Sequence, residues 1–254
     1  MEFDPFFVPR AMAVAMLVAT GLVVGSYLNV VVYRLPAGIS TVYPGSRCPR
    51  CLMPVQPWDN VPVLSYLWLG ARCRSCRTTI SIRYPLVELL TAFLFLASYW
   101  RFSDRPVAIA ASCGYSALLV ALGLIDWDHR RIPGAWAPIG ILLGFGVRSD
   151  LGRAELGDAA FAAVAGGIGI LVLSKAWKLW AGTEGFGAGD AWFLAMVGVF
   201  SGTRGVAAVF VAASTGALIW VGARRLTGRA RPFESIPFVT FLSAAALVAH
   251  FLEP

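Results

Sequence analysis

Val107-Ala-Ile-Ala-Ala-Ser-Cys-Gly-Tyr-Ser-Ala-Leu-Leu-Val-Ala-Leu-Gly-Leu-Ile125 carries no charge, and it ends abruptly on Asp126-Trp-Asp-His-Arg-Arg131. As an α-helix rising about 1.5 Å per residue, such a run nearly covers the roughly 30 Å hydrocarbon core of a bilayer. Working outward, seven further apolar segments lie at 8–33, 86–100, 134–147, 159–180, 190–200, 206–222 and 236–251. Lipid offers the backbone no hydrogen bonds, so segments of this kind cross as helices. Of the whole chain, 58% is hydrophobic and 14% charged, whereas a soluble domain carries about 25% charged residues. The expected fold is therefore an all-α polytopic membrane protein with about eight transmembrane helices.

The net charge of +7 would suit nucleic acid only if it gathered on one soluble surface, but the basic residues fall in short stretches between apolar runs. That pattern orients a membrane protein and excludes a nucleic-acid module. The connections 34–85, 126–133, 174–189 and 223–235 hold fifteen Lys and Arg; those on the opposite side hold six. Positive residues stay inside, so both termini are expected outside the cytoplasm, with Asp126 and Asp190 at its face. The first segment lacks a basic leader and a small-residue cleavage site, and it reads as a retained span. Three parts follow: a first transmembrane helix (1–33), a small cytoplasmic lobe (34–85) and a transmembrane core (86–254). The partner implied throughout is membrane lipid.

The lobe is rich in proline and arginine and holds four of the five cysteines. Cys48-Pro-Arg-Cys51 and Cys73-Arg-Ser-Cys76 stand 21 residues apart. Two such pairs bring four thiolates onto one tetrahedral ion, and the spacing suits a zinc ribbon. Disulfides fit a cytoplasmic lobe poorly, and a redox pair is the other reading. Four thiolates saturate zinc, so the metal would be structural. Cys113, alone in the third span, reads as a packing residue.

A carboxylate at a membrane boundary is costly to desolvate and calls for a functional explanation. Asp126 adjoins its apolar run more tightly than Asp128, His129 or the arginines beside it, which read as a charged loop. Asp190 follows Gly182-Thr-Glu-Gly185-Phe-Gly187-Ala-Gly189, a stretch able to admit an extended peptide or simply to link two helices, with Asp190 as an N-cap. Two aspartates on one face are sufficient equipment for acid–base hydrolysis. Asn29 and Glu88, polar within apolar runs, read as helix–helix hydrogen-bonding residues.

Several stretches together resemble the type IV prepilin peptidases, membrane aspartic proteases of the GxGD kind. They are Gly25-Ser-Tyr-Leu-Asn-Val-Val-Val-Tyr-Arg-Leu-Pro36, the two cysteine pairs, Asp59-Asn-Val-Pro-Val-Leu-Ser-Tyr66, Ile82-Arg-Tyr-Pro-Leu-Val-Glu-Leu-Leu90, Ile125-Asp126 with Ile132-Pro133, and Gly187-Ala-Gly-Asp190. The resemblance implies a catalytic pair, Asp126 and Asp190, and zinc on Cys48, Cys51, Cys73 and Cys76. It implies prepilin and pseudopilin substrates, whose short basic leaders are cut after a Gly at the cytoplasmic face of the bacterial inner membrane. Methylation of the new N-terminus from S-adenosylmethionine often follows. Asp128 and Glu184 are the acids available to a basic leader, though they also read as solvated loop residues.

The chain departs from the family pattern at Gly134, at Trp192, at Ala71-Arg72 before the third cysteine, and at Val239-Thr240 in place of Gly-Pro. None of these removes a carboxylate or a thiol, and Ala71-Arg72 bears on the methyltransferase more than on the peptidase. Trp192, two positions from Asp190, is expected to point away from it. The competing readings are a non-enzymatic zinc-ribbon scaffold of a pilus or secretion machine, a proton-relay transporter, and another GxGD protease.

Overall fold

A computed structural model describes residues 9–102, 105–132, 136–149, 153–182, 186–228 and 235–252. Its helices are α1 (Arg10–Arg34), α2 (Leu64–Trp68), α3 (Arg83–Arg101), α4 (Pro106–His129), α5 (Trp136–Ser149), α6 (Arg153–Ala181), α7 (Ala188–Leu226) and α8 (Phe238–Leu252). Among the described residues the only β-pairing is two isolated bridges. α1 with the short turn after it, α4, α6 and α7 are each long and apolar enough to cross a membrane; α5 and α8 are shorter apolar helices. The all-helical membrane architecture expected from the sequence is present. Among the described residues each apolar segment falls largely on a helix, with 190–200 and 206–222 sharing α7.

Contacts divide the chain into two units, residues 1–113 and 114–254. In the first, α1 packs on α3 through Gly21 and Gly25. A Cβ at either would stand 2.5–2.6 Å from the α3 backbone at Ala92 or Glu88. Two glycines four apart let apolar helices approach closely where no hydrophobic force draws them together. Asn29 reinforces the seam, donating from Nδ2 to the carbonyls of Gly25 and Tyr84. Glu88 does more than join helices: its buried Oε2 accepts the Val63 N–H at 2.7 Å, and Val63 is a β-branched residue at φ 60° entering α2. A carboxylate on α3 thus holds a strained turn of the cysteine lobe.

In the second unit, Tyr115, Leu119 and Leu122 of α4, Ile170 of α6, Phe193 and Met196 of α7, and Leu242 of α8 form a common core. α7 is interrupted at Gly202, whose φ of 67° and ψ of −175° no helix admits. An interruption strands carbonyls on one side and N–H groups on the other. Arg148, from α5, donates to the carbonyls of Val199 and Phe200 and pairs with Glu155. Asp158, from α6, accepts the N–H and the hydroxyl of Thr203. Charged side chains from neighbouring helices thus serve the groups that the break exposes.

Candidate active site and metal centre

Asp126 lies in the last turn of α4 and is only 6% exposed. Its Oδ2 accepts the backbone N–H of Thr240 at 3.0 Å. Thr240 is the third residue of α8, and N–H groups in a first helical turn have no acceptor within their own helix. The Thr240 hydroxyl donates to the Gly123 carbonyl at 2.8 Å, and its oxygen lies 3.4 Å from Asp126 Oδ2. α4 ends just beyond, where Arg130 at φ 54° returns its N–H to the Asp126 carbonyl. Asp126 is thus inside the helix, with His129 as its last residue.

Asp190 is the third residue of α7 and reaches back to accept the Gly187 N–H on Oδ2 at 2.8 Å. This is the acidic half of a capping box; Gly187 has no side chain with which to return the bond. Gly189 meets Ile132, the residue before Pro133: a Cβ added there would stand 3.0 Å from the Ile132 Cβ. Ile132, six residues after the first aspartate, therefore seats the turn that carries the second.

Aromatic rings pack between the elements that carry the two aspartates. Phe186, just before Gly187, packs on Phe238 with ring centres 5.2 Å apart, and Phe238 packs on Phe210. Ser174 of α6 donates to the Phe186 carbonyl. On the other side of Asp126, Trp127 meets Trp220, and Trp220 meets Phe241. Arg130 and Arg224 lie over Trp127 and Trp220 respectively.

The four lobe cysteines converge, with all ligand sulfurs within 4.8 Å of one another and Cys48 Sγ 3.8 Å from Cys76 Sγ. Tetrahedral zinc with Zn–S bonds of about 2.3 Å separates its sulfurs by roughly 3.8 Å, so the cage fits that ion. The two pairs are built alike. Cys48 N–H donates to the Met53 carbonyl and Cys73 N–H to that of Thr78; Leu52 and Arg77 return bonds to their cysteines from φ 58°. Bridges Arg47–Pro54 and Arg72–Thr79 close the two knuckles. Backbone N–H groups of Cys51 and Arg50 draw the Cys48 thiol down to about 6. At Cys51 the Met53 N–H pulls the same way, but desolvation and the neighbouring thiols prevail and lift it to about 11. Crowded thiols resist ionising together, and a cation relieves that conflict. Arg74, within the second knuckle, grips Asp59 from Nε and Nη2 at 2.6 and 2.5 Å, holding that carboxyl below the usual range.

Other residues singled out in the sequence behave variously. Asp128 and His129 are exposed on the last turn of α4. Trp192 is half exposed while Ala191 and Phe193 are buried, so it points away from the core. Cys113 is buried. Ala71, at φ 57°, leads into the second knuckle. Glu184, Pro133 and Gly134 lie outside the described residues. Thr240 appeared in the sequence only as a departure; its partner stands 114 positions away, beyond any local signal.

Two carboxylates held by backbone N–H groups among apolar helices, and a four-cysteine cage, are the features expected of a membrane aspartic peptidase. Residues 19–102 match the Bacterial Peptidase A24 N-terminal domain, and residues 113–222 match the Type IV leader peptidase family. A prepilin leader peptidase/N-methyltransferase of Neisseria gonorrhoeae is 34% identical, the match covering 89% of this chain and 85% of that protein. A protein of the same name from Pseudomonas aeruginosa is 37% identical over 90% and 87%. Another, from Myxococcus xanthus, is 42% identical over 84% of this chain, which spans 63% of that relative's length. The chain belongs to the type IV leader peptidase family. No solved structure shows significant similarity to it.

Proposed function

We propose that this protein is a membrane aspartic endopeptidase that removes the short basic leaders of type IV prepilins and pseudopilins, then methylates the new N-terminus. The observation that carries the peptidase reading is the placement of Asp126 and Asp190: each stands at a helix end with one oxygen held by a backbone N–H, and the turn bearing Asp190 packs on Ile132, six residues beyond Asp126. Two carboxylates so placed share one proton, because ionising both is costly. The charged one takes a proton from water as the water oxygen attacks the scissile carbonyl. The protonated one donates a hydrogen bond to that carbonyl. Collapse of the tetrahedral intermediate breaks the C–N bond, and the amine leaves with a proton returned by the dyad.

Cys48, Cys51, Cys73 and Cys76 would hold zinc. A four-thiolate ion has no open position, so its contribution is to fold the lobe. S-adenosylmethionine supplies the methyl group for the second step. The protein crosses the bacterial inner membrane about eight times, with both termini outside the cytoplasm and the lobe of residues 34–85 inside it. This topology sets both aspartates at the cytoplasmic face, where a basic leader resides. A zinc-ribbon scaffold has no use for two carboxylates each held by a backbone N–H, and it is not favoured.

Asp126→Asn and Asp190→Asn, purified and given a prepilin, are each expected to lose leader release while keeping the wild-type unfolding midpoint. A folded variant that cleaves at the wild-type rate refutes the dyad. Mass spectrometry of the mature N-terminus, with S-adenosylmethionine present, reads the methyl group directly.

A further inference from the structure

The geometry assigns Thr240 as a positioning residue for Asp126. The inference rests on the aspartate-dyad reading and deepens it. Thr240 holds the carboxylate in two stages. Its hydroxyl has one hydrogen, and the 2.8 Å contact to the Gly123 carbonyl claims it; the 3.4 Å separation from Asp126 Oδ2 is the poorer one. The hydroxyl therefore clamps the first turn of α8 onto α4, one helical turn before Asp126. That clamp delivers the Thr240 N–H to Asp126 Oδ2 at 3.0 Å.

The seam has no slack. A Cβ on Gly123 would stand 2.9 Å from the Ser243 Cβ, and Ser243 lies one turn beyond Thr240 on α8. A carboxylate has one freely rotating bond to its ring of possible partners, and a donor fixed on a second helix selects one orientation. Oδ2 is thus engaged by α8.

Three substitutions separate the parts. Thr240→Ser keeps both donors. Thr240→Val keeps the shape and the N–H but loses the clamp. Thr240→Pro removes the N–H at a first-turn position where helices accept proline. Steady-state cleavage of a prepilin is measured for each, together with the unfolding midpoint in the same detergent. Thr240→Ser is expected within about twofold of wild type, whereas misplacing the carboxylate in Thr240→Val and Thr240→Pro lowers kcat on the order of tenfold to a hundredfold. KM stays unchanged, because Thr240 touches Asp126 rather than substrate.

Wild-type kcat in Thr240→Val, or a loss there carried by KM alone, overturns the assignment, and so does a Thr240→Ser as impaired as Thr240→Val. Should Thr240→Pro not fold, the Ser and Val pair decides by itself. Asp126→Asn run alongside keeps the two levels apart. If it cleaves normally, the dyad fails; if it is dead while Thr240→Val is wild type, only the role of Thr240 fails.

Discussion

Gly189→Ala tests how closely the second aspartate is seated. The added Cβ would lie 3.0 Å from the Ile132 Cβ and 3.2 Å from its Cδ1, several tenths of an ångström inside ordinary contact. Ile132 is β-branched and stiff, so either it or the first turn of α7 must move. Overpacking of this kind costs about 1–3 kcal/mol. Replacing glycine by alanine within a helix returns up to about 1 kcal/mol. The net is a loss of roughly 0–2 kcal/mol, a modest fall in the unfolding midpoint. The effect on rate is larger, because the displaced turn carries Asp190 at the next position; a fall in kcat of at least about tenfold is expected.

Gly187→Ala is the control. Its Cβ would meet Asp190 Oδ2 at an unstrained 3.6 Å, and the backbone there, at φ −85° and ψ 163°, suits any residue. Its midpoint should match wild type. Thermal unfolding in detergent and a prepilin cleavage assay read both variants. A Gly189→Ala protein with wild-type kcat refutes the steric reasoning, as does a Gly187→Ala protein that loses more stability than Gly189→Ala.

Two further predictions concern the lobe. The purified protein should carry one zinc per chain by metal analysis; Cys76→Ser should release it and unfold the lobe, read as new protease cuts confined to residues 34–85, and full metal retention would contradict the cage. Arg74 holds Asp59 below its ordinary range, so the pair's contribution is complete above pH about 4 and fades as pH falls through the depressed value. Asp59→Asn should therefore flatten the acid limb of lobe stability, and an unaltered limb would count against the pair.

The sequence made the long-range plan legible where a residue type needs few partners to declare itself. Spaced cysteine pairs announced their cage, and uncharged runs announced helices. The Gly-rich approach to Asp190 was visible, but which glycine matters was not, since Ile132 lies 57 positions earlier. Asp126 read as the end of an apolar run, while the helix carries on to His129. Glu88 read as a helix–helix residue, yet it also grips Val63 in the lobe. The Gly21 and Gly25 pair was submerged in a uniformly apolar segment. In each case the deciding contact comes from an element distant in sequence, which no local pattern records.

The interruption at Gly202 reaches beyond local packing. An unbroken helix of 39 residues would measure about 58 Å, nearly twice the hydrocarbon thickness. Under the proposed topology of about eight crossings, this one residue would take the place of a connecting loop between the sixth and seventh. Were α7 to run straight, residues 203–226 would leave the bilayer on the wrong side, and α8 would enter from the opposite face. Asp126 would then lose the helix that supports it. Under that topology Arg148 and Asp158, which serve the backbone groups at the break, would guard the arrangement that brings α8 to Asp126.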